Sequence, residues 1–181
     1  MTANGGTDPS LRVLIRALDQ AGDVLDHVHP DDLTRPTPCE EWTVSMLADH
    51  LVATPARFLS LMKGEEIDWS ASPRHVEHSW GPEFRNRADD LVHAWHELED
   101  DPPTPPEWQV AELAVHTWDL AVAIGQPVDR LDPEVAETGL AMMRSSLRPE
   151  MRGEVFRAER PAPTGAGPYA SLAAFAGRVT D

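Results

Sequence analysis

The sequence predicts an all-α protein: a four-helix bundle with an additional C-terminal helix and an irregular tail. Three observations lead there. Apolar residues recur at steps of three and four through several separate segments, which is the helical period. Between those segments lie stretches rich in proline and glycine, which break helices. No segment alternates apolar and polar residues at the strand period. At 181 residues and 41% hydrophobic content, the chain can bury a sizeable core. A single domain over residues 1–181 is therefore expected.

The elements follow in order. In "SLRVLIRALDQAGDVLDHV", Leu11, Leu14, Leu18, Leu25 and Val28 share a face, with Ser10 as the expected N-cap. "RPTPCEEW" reads as a loop. "TVSMLADHLVATPARFLSLM" sets Val44, Leu47, Ala48, Leu51 and Val52 on one face behind a Thr43 cap. Pro55 falls inside this second helix. Either it kinks the helix and widens the bundle, or the helix ends near Thr54 and restarts. Residues 63–82 show no period and read as a loop. The third helix carries Phe84, Ala88, Leu91, Trp95 and Leu98, and "DDPPTPP" stops it. The fourth spans about Trp108 to Ile124, ended by Gly125 and Pro127. The fifth runs from Pro133 to about Leu147, with Asp132 as cap and Pro133 at the first helical position. The tail contains "PAPTGAGP" and closes in "YASLAAFAGRVTD", read as a short helix.

The formal charge of −16 repels phosphate backbones and anionic lipid, which disfavours nucleic acid and membrane surfaces as partners. No apolar run approaches membrane-spanning length, and "MTANGGTDPS" lacks the charged and apolar regions of a signal peptide. The lone Cys39 can form no internal disulfide. A cytoplasmic protein, monomeric or homodimeric, is the expectation.

The fourth helix raises the functional question. In "AELAVHTWDLAVAIG", residues 111–125, Glu112, His116 and Asp119 are spaced by four and three and stack along one face. Leu113, Val115, Trp118, Leu120 and Val122 occupy most of the remaining circumference, so the helix is expected to be buried nearly all round. Buried ionisable groups need partners, and either a metal or a closed hydrogen-bond network would supply them. Side chains at i and i+4 can converge on one metal ion inside a bundle. His50, at the edge of the apolar face of the second helix, is the best further ligand. Two neutral imidazoles and one carboxylate would leave a divalent ion with positive charge, able to attract a thiolate or enolate and lower the pKa of bound water or thiol.

Three motifs carry a family resemblance: "TPCEEWTVSMLADHLV" (37–52), "VAELAVHTWDLAVAIGQP" (110–127) and "SLAAFAGR" (171–178). In their order and spacing the chain resembles the DinB-like, mycothiol-dependent maleylpyruvate isomerase N-terminal family of actinobacterial metal-binding proteins. The resemblance covers nearly the whole chain and is weakest over 63–106. It implies a four-helix bundle in which His50, Glu112 and His116 bind a divalent metal, usually zinc, that receives a low-molecular-weight thiol such as mycothiol. Two departures stand against transferring the maleylpyruvate substrate itself. The segment before the second motif is compressed to "DDPPTPPEW", and there is no room for that enzyme's extra C-terminal domain.

The functional expectation is a metal-dependent enzyme using a small thiol for S-transfer or cis–trans isomerisation of a small electrophile. A nucleophile activated at neutral pH serves both reactions. The alternatives are a hydrolase using metal-bound water, or a non-catalytic, metal-stabilised binding module. The ligand set also resembles an iron oxygenase triad, against which the scaffold argues. "HExxH" is absent, which leaves peptidase chemistry little support. Asp119 is read as a supporting residue that orients His116, or as a carboxylate bonded within the bundle, or as a fourth ligand closing a structural site.

Other residues receive structural readings. Trp118 is expected in the core, and Trp42 is expected to staple the second helix to the bundle. Cys39 reads as a small buried residue in a proline-rich turn, with Glu40 and Glu41 opposing its thiolate. His93 and His96 are expected in solvent, and His27, His29, His75 and His78 at termini or in loops, although "HVEH" could form a second metal site.

Overall fold

The structure, a computed structural model, describes residues 8–39, 42–69, 71–98, 104–153 and 156–180. These form six α-helices: α1 (Pro9–Leu25), α2 (Val44–Met62), α3 (Trp80–Glu97), α4 (Pro106–Ala123), α5 (Pro133–Ser146) and α6 (Pro168–Phe175). Among the described residues the only strand-like pairing is one bridge between Pro36 and Thr43. Helices α1 to α4 form the bundle, in which α1 packs on α3 and α4, and α2 packs on the same two. The α2–α4 seam is the least intimate of the four. Helix α5 lies against α4, and α6 against α5. This is an all-α, DinB-like bundle with an added C-terminal helix, as the sequence predicts. None of the described helices is long and apolar enough to cross a membrane.

The apolar stripes read from the sequence form one core. Leu14, Leu47, Phe84, Leu113 and Val135 are buried completely, one from each of α1 to α5. Thr43 caps α2 by accepting from the Met46 N–H at 3.4 Å, and Asp132 caps α5 by accepting from the Glu134 N–H at 2.9 Å. Helix α4 ends where Gly125 takes φ +74°, a conformation that costs a residue without Cβ nothing. Gly139 in α5 allows close approach to α4, since a Cβ there would sit 3.2 Å from the Ala111 Cα.

Two local expectations are corrected, one open alternative is resolved and one is refined. Asp8, not Ser10, caps α1: its carboxylate accepts from the Ser10 N–H at 2.9 Å, because Pro9 presets the first helical residue. The Ser10 hydroxyl instead donates to Glu107 on α4. Helix α3 starts at Trp80, inside the stretch read as a loop, because Trp80 and Phe84 bury together one turn apart and Pro82 is tolerated in a first turn. Helix α2 passes through Pro55 without a break, which removes the restart alternative. Carbonyls of the preceding turn take side-chain donors: Thr54 Oγ1 to His50 at 2.8 Å and Arg87 Nη1 to Val52 at 3.0 Å. Finally, α4 is buried almost all round, but Val122 is exposed. Of "DDPPTPP", residues 100–103 lie outside the described residues, as do Glu40 and Glu41.

Candidate metal centre

The α2–α4 seam brings together His50, Glu112 and His116. His50 projects from α2 three residues after Leu47 and one before Leu51, so the apolar stripe that buries those leucines carries it inward. Glu112 and His116 share one face of α4, one turn apart. His50 Nε2 lies 2.9 Å from Glu112 Oε1, and His116 Nε2 lies 3.4 Å from the same oxygen. Metal-ligating atoms of the three all fall within 4.8 Å of one another. Ligands on a tetrahedral zinc at about 2.0–2.1 Å are about 3.3 Å apart, close to the 2.9 and 3.4 Å separations of the two histidine nitrogens from Glu112 Oε1.

Both ring nitrogens of His116 are buried and have no hydrogen-bond partner. Its Nδ1 is 3.3 Å from Asp119 Oδ2 and its Nε2 is 3.4 Å from Glu112 Oε1, ion-pair contacts that do not form hydrogen bonds. A buried polar atom left unmade costs about 1–3 kcal/mol, and a cation at the three donors would satisfy Nε2. The residues therefore fit a divalent ion.

Charge coupling within the trio is strong. Burial favours the neutral acid at Glu112, yet His116 and His50 outweigh it and hold the carboxyl well below its usual range. Burial likewise opposes a charge on His116, but Glu112 and Asp119 overcome it and raise its pKa to about 9. His50 moves the other way: burial lowers its pKa and Glu112 only partly offsets this. The trio's charges therefore favour the protonated form at His116 and the neutral form at His50.

Asp119 faces the opposite edge of the His116 ring from Glu112. Both of its oxygens accept from Arg178, Nε at 3.1 Å and Nη2 at 2.8 Å, a bidentate buried pair. Arg178 belongs to the "SLAAFAGR" segment, where no local signal ties it to a residue 59 positions earlier. Cys39 also reaches this side, its sulfur, His116 and Asp119 lying within 4.8 Å of one another. Burial pushes the Cys39 thiol up to about 11, which agrees with the reading of a small buried residue.

Trp42 does more than staple α2. Its ring stacks on His116 with centroids 5.7 Å apart and planes at 16°, and it tilts against His50 at 4.8 Å. His75 Nδ1 meets Asp49 Oδ2 at 2.7 Å while the Val76 N–H donates to Asp49 Oδ1 at 2.9 Å. These bonds pin the α2–α3 connection next to His50, so the first histidine of "HVEH" binds a carboxylate of α2. Trp118 is buried, and His93 and His96 are exposed, His93 pairing with Glu97 at 3.1 Å.

Two cavities flank the trio. A polar one of about 300 Å³ is lined by Trp42, Asp49, His50, Arg57 and Trp69 among others. An apolar one of about 90 Å³ has Glu112 in its wall beside Met142, Met143 and Phe156.

A helical bundle with two histidines and one carboxylate converging in a buried seam, and cavities on either side, defines a class of bundle proteins with an interior polar centre. Comparison narrows it. A family model for the mycothiol maleylpyruvate isomerase N-terminal domain matches residues 14–121. Two uncharacterized proteins of Mycobacterium tuberculosis, from strains CDC 1551 / Oshkosh and H37Rv, are each 33% identical over 184 aligned residues, covering 91% of this chain and 94% of the relative. The chain belongs to the mycothiol maleylpyruvate isomerase N-terminal domain family. No solved structure matches it significantly.

Proposed function

We propose that this protein is a divalent-metal-dependent enzyme that uses a low-molecular-weight thiol of the mycothiol type for S-transfer or cis–trans isomerisation of a small electrophile. His50, Glu112 and His116 would hold the ion, zinc by donor type. Bound there, the metal would supply Lewis acidity that lets a thiol ionise at neutral pH. The observation that carries the reading is the spacing of the three donors together with the partnerless nitrogens of His116.

The chain's own residues have assignable tasks. Glu112 pairs with His50 Nε2 at 2.9 Å, lies 3.4 Å from His116 Nε2, and supplies the negative charge that offsets one of the two on a divalent ion. Asp119, fixed by Arg178, faces the other edge of His116 and sets the orientation of its ring. Trp42 covers the histidines and limits water at the donors. The polar cavity beside His50 is large enough for part of a hydrophilic thiol. Asp119 bonds Arg178 through both oxygens and lies at the Nδ1 edge of His116 rather than at Nε2, which favours an open catalytic site over a purely structural one.

Elemental analysis of purified protein tests the reading. About one equivalent of divalent metal is expected in the native chain and a large loss in His50→Ala. Metal-free native protein whose stability matches that of His50→Ala overturns it. With metal established, thermal-shift titration with mycothiol separates the thiol enzyme from a metal hydrolase, since only the former gains stability.

A further inference from the structure

The two cavities beside the centre differ in chemistry. The larger one holds Asp49, His50 and Arg57. The smaller one is walled by Met142, Met143, Met151, Leu147 and Phe156, and Glu112 brings it to the donor cluster. Its one hydroxyl, Ser146 Oγ, faces the Met142 sulfur at 3.7 Å. The rest of its wall is apolar, so hydrocarbon seated there is removed from water. Met151 at its rim is 64% exposed, which gives the cavity a flexible apolar mouth.

We infer that this methionine-lined cavity is the subsite for a short alkyl group of the electrophilic acceptor, held next to Glu112 while polar parts of the ligands occupy the cavity beside His50. The inference rests on the function proposed above and names its substrate class. Size decides for an alkyl group over an aromatic ring: about 90 Å³ is well under the roughly 150 Å³ of a void known to take benzene. Methionine walls adapt to an occupant's shape, which suits chains of about three or four carbons.

A homologous series of n-alkyl hydroxamic acids tests this on the zinc-loaded protein, because the hydroxamate chelates the metal and the tail explores the cavity. Affinity is expected to rise about three- to fourfold per methylene over acetohydroxamic acid, then to level off near three or four carbons. Ser146→Leu, checked for folding by circular dichroism, should abolish that gain and leave acetohydroxamic acid unaffected. Met142→Ala should move the optimum to a longer chain. A flat series in the native protein, with acetohydroxamic acid still bound, overturns the subsite and leaves the metal reading standing. If no zinc is held, the metal reading fails, and methyl-¹³C methionine NMR with 1-butanol decides the cavity alone. Shifts confined to Met142, Met143 and Met151 support it, and their absence overturns it.

Discussion

Asp119 sits between two groups that demand opposite things of it. Arg178 needs a buried carboxylate, and the His116 ring needs a fixed neighbour at Nδ1. Asp119→Asn keeps the shape but loses one acceptor and the negative charge, and a supporting residue of this type is worth about 10- to 100-fold in metal affinity. Zinc competition against a chromogenic chelator should show that loss with metal stoichiometry retained. Asp119→Ala removes the counter-charge to buried Arg178 and should cost about 3–5 kcal/mol in urea denaturation. His116 makes a second prediction, for metal-free protein. Its pKa is raised from an ordinary value of about 6.5 to about 9. A raised folded pKa gives stability fully present below the unfolded value and lost as pH rises through about 9. A metal at Nε2 must displace that proton, so zinc binding near neutral pH should release about one proton from His116. Calorimetry in buffers of different ionisation enthalpy measures this, and a buffer-independent enthalpy would exclude it.

At the scale of elements, α5 is clamped at its start. Asp132 caps it, pairs with Arg16 of α1 at 2.8 Å, and its N–H donates to Gln20 Oε1 at 2.9 Å, while Gln20 also bonds the Tyr169 hydroxyl of α6. Asp132→Ala should cost about 1–2 kcal/mol through the lost cap, whereas Asp132→Asn keeps a cap and should cost under about 1 kcal/mol, the exposed ion pair being weak. Neither should change metal content, and thermal melts with elemental analysis check both. Caps such as Asp132 and Thr43 and the periodic stripes were legible because they depend on residues a few positions apart. The start of α3 was not, since Ser79 takes φ +66° and the signal lies only in the joint burial of Trp80 and Phe84. At the centre, the i,i+4 pair of Glu112 and His116 and the motif around His50 stood out in the sequence. Arg178 against Asp119 and Trp42 over both histidines arise from how distant segments return to the seam, which spacing cannot encode.

The whole molecule carries a charge of −16, so any divalent cation will screen repulsion and raise stability somewhat. A specific centre in the α2–α4 seam makes a different, quantitative demand. Saturation at about 100 times Kd stabilises the native state by about 2.7 kcal/mol, and a domain of this size gains about 2–4 °C in Tm per kcal/mol. Zinc added to chelator-treated protein should therefore raise Tm by about 5–10 °C. Magnesium separates the two effects. It screens charge as zinc does but has little affinity for imidazole, so it should produce only a small part of the rise. His50→Ala should reduce the zinc response to the magnesium level while keeping the magnesium response itself. Equal shifts from both ions, or a full zinc response in His50→Ala, would show that the acidic surface, not the seam between α2 and α4, is what the metal stabilises.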